Sequence, residues 1–294
     1  MTRSETAKLV SFQIDPFILS LPGARGLPLI FDSPHSGRDY PPHWTTPLSR
    51  VELRRGEDAL VDELLDAAPE RGITLLAARF PRCYIDVNRD IDDIDPGLLD
   101  RPWPGPFSLR PTEKSKKGLG LIRRYVVPGV AIVEEPLAID DVRFRIEEIY
   151  VPYHRALSTH IEALRARFGF VWHIDWHSMK SRGNAMTPDG EGALRPDMVV
   201  GDLDGSSADA RFVDLVVAHL RDLGYRVTVN DPYKGAAIVR KYGQPVQGCS
   251  TIQIEINRAL YLDEANVTPN AGFARLKSSL ESLMDALASA VSDG

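Results

Sequence analysis

Cysteine is scarce in this 294-residue chain, occurring only as Cys83 and Cys249. Two thiols exclude a disulfide framework and a thiolate zinc cluster, and their apolar surroundings suit small buried hydrophobes. No apolar run approaches membrane-spanning length, and the opening stretch MTRSETAKLVSFQIDPF lacks the apolar core of a leader. The expectation is a cytoplasmic protein with no membrane partner. Positive charge is not in excess either. A net charge of -6 leaves no electrostatic footprint for nucleic acid, although local positive charge can still receive a small anion. Internal repeats and low-complexity linkers are missing. So are a G-x-S-x-G elbow, a Walker A loop, a G-x-G-x-x-G fingerprint and an H-E-x-x-H helix.

What is present is an ordinary globular balance, 43% apolar and 26% charged. Apolar, β-rich runs at 28–33, 73–80, 126–133, 170–177, 197–202, 225–231 and 250–257 predict strands. They alternate with helical patterns at 57–69, 140–168, 207–223 and 271–291. In the second of these, Ile146, Ile149, Tyr150, Tyr153, Leu157, Ile161, Leu164 and Phe168 form one amphipathic face, which Pro152 should kink or split. The alternation predicts an α/β fold with a mostly parallel mixed sheet covered on both faces, read as one domain over 1–294. Ligands in such sheets gather beyond the carboxyl ends of the strands. The Pro- and Gly-rich stretch 95–120 lacks periodicity and reads as a long excursion, a candidate lid.

Four predicted strand ends finish in polar clusters. The first is IFDSPHSGR, with His35; the second is YIDVNRD, with Asp86, Asn88 and Arg89. The third is HIDWHSM, with Asp175, His177 and Ser178. The fourth, IQIEIN, puts Gln253, Glu255 and Asn257 on one face and Ile252, Ile254 and Ile256 on the other. Burying an amide and a carboxylate without partners costs on the order of 2 kcal/mol or more each. The polar face therefore marks either a functional cavity or a solvated edge strand, and periodicity alone does not choose. Two histidines closing strands point to a metal. Zinc suits nitrogen and oxygen ligands, and a catalytic site keeps three protein ligands. The acidic ligand is open among Glu57, Asp58, Asp62 and Glu63, any of which could instead be first-turn helix acids. Glu255, among apolar neighbours, is a candidate general base with a raised pKa. Arg89 is the leading candidate to clamp a carboxylate. Arg123, Arg124, Lys234 and Arg240 rank behind it.

In order along the chain, FDSPHSGRDYP, GEDALVDEL, DVNRD, DWHSM, VVGDLDGSSA, GYRVTVNDPYKGA and QIEINRALYL resemble the N-formylglutamate amidohydrolases (deformylases). The matches run from about Phe31 to Leu262. The resemblance implies a zinc-carboxypeptidase-like, three-layer fold and hydrolysis of the small anion N-formyl-L-glutamate to formate and glutamate, in histidine degradation. It implies His35 and His177 as zinc ligands, one Zn2+ per chain, and Glu255 as base and then acid. Asn88 and Arg89 would be substrate-binding, Arg89 holding a carboxylate, with Arg123 or Arg124 meeting the second carboxylate or the oxyanion. Relatives in the wider carboxypeptidase-like group carry a glutamate ligand three residues after the first histidine, where this chain has Arg38. The acidic ligand must come from elsewhere, and Asp58, opening the expected helix, is chosen over Asp62 and Glu57. An alternative keeps the metal site but takes another N-acyl amino acid or a short peptide. A further one is a non-catalytic small-ligand binding protein.

Overall fold

In the computed structural model, which describes residues 15–23 and 26–292, nine strands and eight α-helices bear on the argument. The stretch read for a leader lies, up to residue 14, outside the described residues. The strands are β1 Phe17–Ser20, β2 Leu29–Ser33, β3 Thr74–Ala78, β4 Tyr125–Val127, β5 Val130–Ala131, β6 Val171–Met179, β7 Met198–Gly201, β8 Val227–Val229 and β9 Cys249–Asn257. The helices are α1 Arg50–Arg54, α2 Val61–Leu64, α3 Glu113–Lys116, α4 Ile139–Arg145, α5 Val151–Phe168, α6 Ala210–Asp222, α7 Ala237–Tyr242 and α8 Phe273–Ser292.

Seven strands make one mixed sheet in the order β1-β3-β2-β6-β9-β7-β8. The neighbours β3-β2-β6-β9 and β7-β8 run parallel, while β1 and the β9-β7 contact are antiparallel. Each face carries its own core. Phe31, Ile174, Trp176, Ile252, Ile254 and Ile256 face one way, under α2, α6 and α8. Ile30, Leu76 and Val171 face the other way, under α4, α5 and the chain from Phe80 to Leu99. The result is the three-layer α/β arrangement expected from the alternating pattern. Among the described residues no helix is long and apolar enough to cross a membrane.

The two readings of β9 separate here. It lies between β6 and β7 and is not an edge. Its polar residues are therefore interior, and they adjoin those of β6: His173 pairs with Thr251, Asp175 with Gln253 and His177 with Glu255.

Two expectations need correction, and one strand was not expected. Residues 57–69 do not form one helix: Leu60 takes a left-handed conformation at φ 65°, and only α2 is helical before the short turn at Pro69–Arg71. Residues 126–133 are a small separate hairpin, β4-β5, rather than a strand of the main sheet. Strand β1, too short and irregular to stand out, adds an antiparallel edge. The helical stretch 140–168 is interrupted by a wide turn at Ile146–Tyr150, after which Pro152 falls in the first turn of α5. Pro152 comes just after that wide turn, and the backbone stays helical through it. The excursion 95–120 holds a short turn of helix at Pro96–Leu98 and the four-residue α3.

Just past β2, Gly37 lies against the backbone of Arg79 and Phe80. A Cβ there would sit 2.3 Å from the Phe80 carbonyl oxygen and 2.6 Å from the Arg79 carbonyl carbon. Both contacts are backbone, so neither side can give cheaply. Gly37→Ala is expected to lower unfolding free energy by about 1–3 kcal/mol, read as a lower denaturant midpoint at constant slope.

Candidate metal centre and active site

The site stands where the fold places it, beyond the carboxyl ends of β2, β3, β6 and β9. His35 follows β2, Asp86 and Asn88 lie in the segment after β3, His177 is near the end of β6, and Glu255 is beside it on β9. Asp58 is not on a helix. Its backbone N–H donates to the His35 carbonyl at 2.9 Å, pinning the loop before α2 against the end of β2.

His35, Asp58 and His177 are buried and offer ligand atoms all within 4.8 Å of one another. The two Nδ1 atoms are 3.1 Å apart, and Asp58 Oδ2 is 3.3 Å from His35 Nδ1 and 2.9 Å from His177 Nδ1. The outer ring atoms explain the orientation. His35 Nε2 lies 2.6 Å from Asp86 Oδ1, and His177 Nε2 lies 2.8 Å from Asp175 Oδ1. With the His35 Nε2–H given to Asp86 and His177 Nε2 facing the Asp175 carboxylate, both Nδ1 atoms turn inward. Two lone pairs and a carboxylate oxygen then converge, an arrangement that repels itself unless a cation or a proton sits among them. A proton answers in part. Burial opposes charge on His177, but Asp175, Asp58 and Glu255 overcome it and hold its pKa well above the usual imidazole value. Burial and the Arg82 guanidinium push His35 the other way, toward the neutral form. Burial likewise opposes charge on Asp58, yet His177, His35 and Arg82 keep its carboxyl well below the ordinary range. Two neutralisable imidazoles and one carboxylate match the nitrogen and oxygen donor set of a zinc site with three protein ligands.

Of the alternative acids, Glu57 is bound by Tyr40 and Arg54, while Asp62 and Glu63 face Arg38. Arg38, at the position where a glutamate was expected, thus points away from the triad.

A cavity of about 430 Å³ opens onto the triad and is lined by His35, His177, Asn88, Arg89, Arg123 and Glu255, among others. Burial pushes the Glu255 carboxyl up to about 7, with nearby Asp58 and Asp175 adding to the rise and His177 and Arg82 opposing it. Gln253 Nε2 donates to Glu255 Oε1 at 2.9 Å and fixes its rotamer. Asn88 lines the cavity, but its amide is already committed. Nδ2 donates to Asp175 Oδ2 at 2.9 Å and Oδ1 accepts from the Ile238 N–H at 2.8 Å. Arg89 bonds the Leu119 and Asn88 carbonyls and presents its remaining edge to the cavity. Arg124 does not line the cavity: it binds Asp95 and the Gly97 carbonyl. Lys234 pairs with Asp204 and Arg240 with Asp90, both outside the cavity lining.

Sequence reading overlooked Arg82, Arg195, Arg258 and Lys114, all of which line the cavity. Arg82 grips Asp86 with two donors, at 3.2 and 2.9 Å. Arg258 Nε donates to Ser178 Oγ at 3.0 Å, Nη1 to the Arg55 carbonyl at 3.0 Å and Nη2 to Asp58 Oδ1 at 3.0 Å. It fastens the Asp58 loop to the end of β6. Arg258→Met is expected to weaken metal affinity roughly 10–100-fold, as loss of a ligand's supporting partner does, measured by chelator competition. The motifs VVGDLDGSSA and NDPYKGA meet as a clamp. Asn230 Nδ2 donates to Asp202 Oδ1 at 2.6 Å and the Leu203 N–H to the Lys234 carbonyl at 2.8 Å, which frames the wall carrying Tyr233.

A family model described as N-formylglutamate amidohydrolase matches residues 27–262. An N-formylglutamate deformylase of Pseudomonas aeruginosa is 31% identical over 247 residues, covering 81% of this chain and 83% of that protein. One from Pseudomonas putida is 28% identical over 244 residues, with the same coverage. The crystal structure of an N-formylglutamate amidohydrolase from Ralstonia eutropha JMP134 superposes with a TM-score of 0.89 at 43% identity, covering 96% of this chain and all of that one. An Agrobacterium tumefaciens gene product shares the fold at a TM-score of 0.65 and 20% identity, over 94% of this chain and 96% of that one.

Proposed function

The chain belongs to the N-formylglutamate amidohydrolase family, and we propose that it hydrolyses N-formyl-L-glutamate to formate and L-glutamate with a zinc ion held by His35, Asp58 and His177. We place it, on the same reading, as a cytoplasmic enzyme of histidine degradation. The observation that carries the reaction is the convergence of three inward-facing acceptors beside a carboxylate of raised pKa, in a cavity rich in arginine.

Zinc bound there would polarise the formyl carbonyl and acidify a water molecule. Glu255 takes the proton of the attacking water and returns it to the departing amine, so that one carboxylate serves as base and then as acid. Arg89 pairs with a substrate carboxylate and holds the amide toward Glu255, converting encounter into a fixed geometry. Asn88, its amide spent on Asp175, supports His177 from behind and frames the pocket.

The test is formate release from N-formyl-L-glutamate, before and after exhaustive chelation, alongside elemental analysis. Chelation should abolish release and re-addition of zinc should restore it. Activity untouched in metal-free protein would overturn the mechanism. Formyl, acetyl and benzoyl amino acids compared in one assay separate this reading from a broader deacylase.

A further inference from the structure

The segment 86–90 brings Asn88 and Arg89 to the cavity, yet it belongs to neither a strand nor a helix. Its buried carbonyls have no ladder to satisfy them and must find other partners. The Asn88 carbonyl is taken by Arg89 itself, Nη1 donating at 2.7 Å. The carbonyls on either side are both held from one stretch of helix. His154 Nε2 lies 2.9 Å from the Val87 oxygen, and the Tyr150 hydroxyl donates to the Arg89 oxygen at 2.9 Å.

Tyr150 closes the wide turn that interrupts the helix, and His154 stands four residues on, early in α5. Residues at that spacing share a face, and the two rings lie 4.3 Å apart between centroids. Both side chains are buried, and neither lines the cavity. A carbonyl only accepts, so Nε2 carries the proton of a neutral ring, and Nδ1 accepts from the Tyr242 hydroxyl at 2.8 Å. Burial, with nearby Lys241 adding to it, pulls the His154 pKa down to about 3, so the ring keeps these bonds at working pH. Tyr242 ends α7, whose Ile238 N–H holds Asn88 Oδ1. The contacts form a closed circuit. The stretch from Tyr150 into α5 grips the backbone on both sides of Asn88, α7 grips its side chain, and Tyr242 ties the two helices together. The amide left over, Asn88 Nδ2, is thereby aimed at Asp175, behind His177.

We infer that His154 and Tyr150 are positioning residues with separable effects: His154 acts through Asn88 and Asp175 on the metal ligand His177, and Tyr150 acts through Arg89 on the substrate carboxylate. The inference rests on the reaction proposed above and adds to it two residues outside the cavity. A carbonyl stripped of its donor draws the segment toward another partner, and small misplacements of a binding group are felt in rate and affinity.

Tyr150→Phe removes one hydroxyl and keeps the ring. In the metal-loaded enzyme it should raise KM for N-formyl-L-glutamate roughly tenfold, with kcat within about threefold of wild type. Calorimetric binding of L-glutamate should weaken in step, while metal affinity stays unchanged. His154→Leu should instead weaken metal affinity roughly tenfold in chelator competition, and His154→Gln, which keeps an N–H for the Val87 carbonyl, should recover most of it. Because the ring is neutral, the ratio to wild type should not vary with pH. Should His154→Leu fail to fold, Tyr242→Phe, which frees Nδ1 and with it the tautomer, reads the same affinity. Variants that lose thermal stability while KM, glutamate binding and metal affinity stay at wild-type values reduce this helix face to packing and overturn the inference. So does a Tyr150→Phe that weakens metal binding as much as His154→Leu. A wild type that releases no formate, with the shifts in metal and glutamate binding still present in the variants, leaves the clamp standing and overturns the reaction.

Discussion

Glu255→Gln is expected to lower kcat for formate release by roughly 10²–10⁴-fold, the usual contribution of a positioned general base, while the chain keeps its metal. The amide is close in size to the carboxylate and can still accept from Gln253, so the β9 rotamer is preserved. What it loses is the ability to take a proton. A pH profile separates this from a merely structural loss. A base must be ionised, so kcat/KM of the wild type falls as pH drops through the Glu255 pKa. Burial places that pKa near 7 without a metal ion in the triad, and an added positive charge nearby favours the carboxylate and moves the limb to lower pH. In Glu255→Gln the acid limb should vanish along with the rate. A variant that kept both the rate and the limb would remove Glu255 from the mechanism.

The legibility of this site in the sequence followed the strands. His35, His177 and Glu255 stand at or near ends of regular strands, where a polar residue contrasts with an apolar run. The alternation in β9 left an edge strand and a lined cavity equally open, because periodicity reports two unlike faces and not the strand's neighbours. The pairing of β9 with both β6 and β7 decided it. The acidic ligand was harder for a related reason. Asp58 lies in an irregular loop tied to the His35 carbonyl, a bond between residues 23 apart that no local pattern encodes. Arg123 and Arg124 are adjacent in sequence yet turn to opposite environments, one to the cavity and one to Asp95. Arg82, Lys114 and Arg258 were missed because an arginine or lysine in a loop looks like solvated charge until the fold closes around it. For Arg258 the company that the fold supplies is Ser178, the Arg55 carbonyl and Asp58, all remote in sequence.

His177→Ala is expected to lose more than about 100-fold in metal affinity, beyond the loss from supporting residues, and turnover should fall with it. A second consequence concerns the metal-free wild type, where a proton on His177 is the remaining cation among the three acceptors. Burial opposes that proton, but Asp175, Asp58 and Glu255 retain it and raise the folded-state pKa well above the imidazole value near 6.5. A histidine raised on folding stabilises the protein fully below its unfolded pKa, and that stability is lost as pH climbs through the raised value. The metal-free enzyme should therefore lose thermal stability from neutral to alkaline pH, and saturating zinc should remove that slope. Zinc uptake should release protons, because His177 must give up the one it holds before its Nδ1 can coordinate. In metal-free His177→Ala the alkaline fall contributed by this group should be absent. Proton counting by calorimetry in buffers of different ionisation heat measures the release directly. Uptake at neutral pH with no proton released would place the ion elsewhere than among His35, Asp58 and His177.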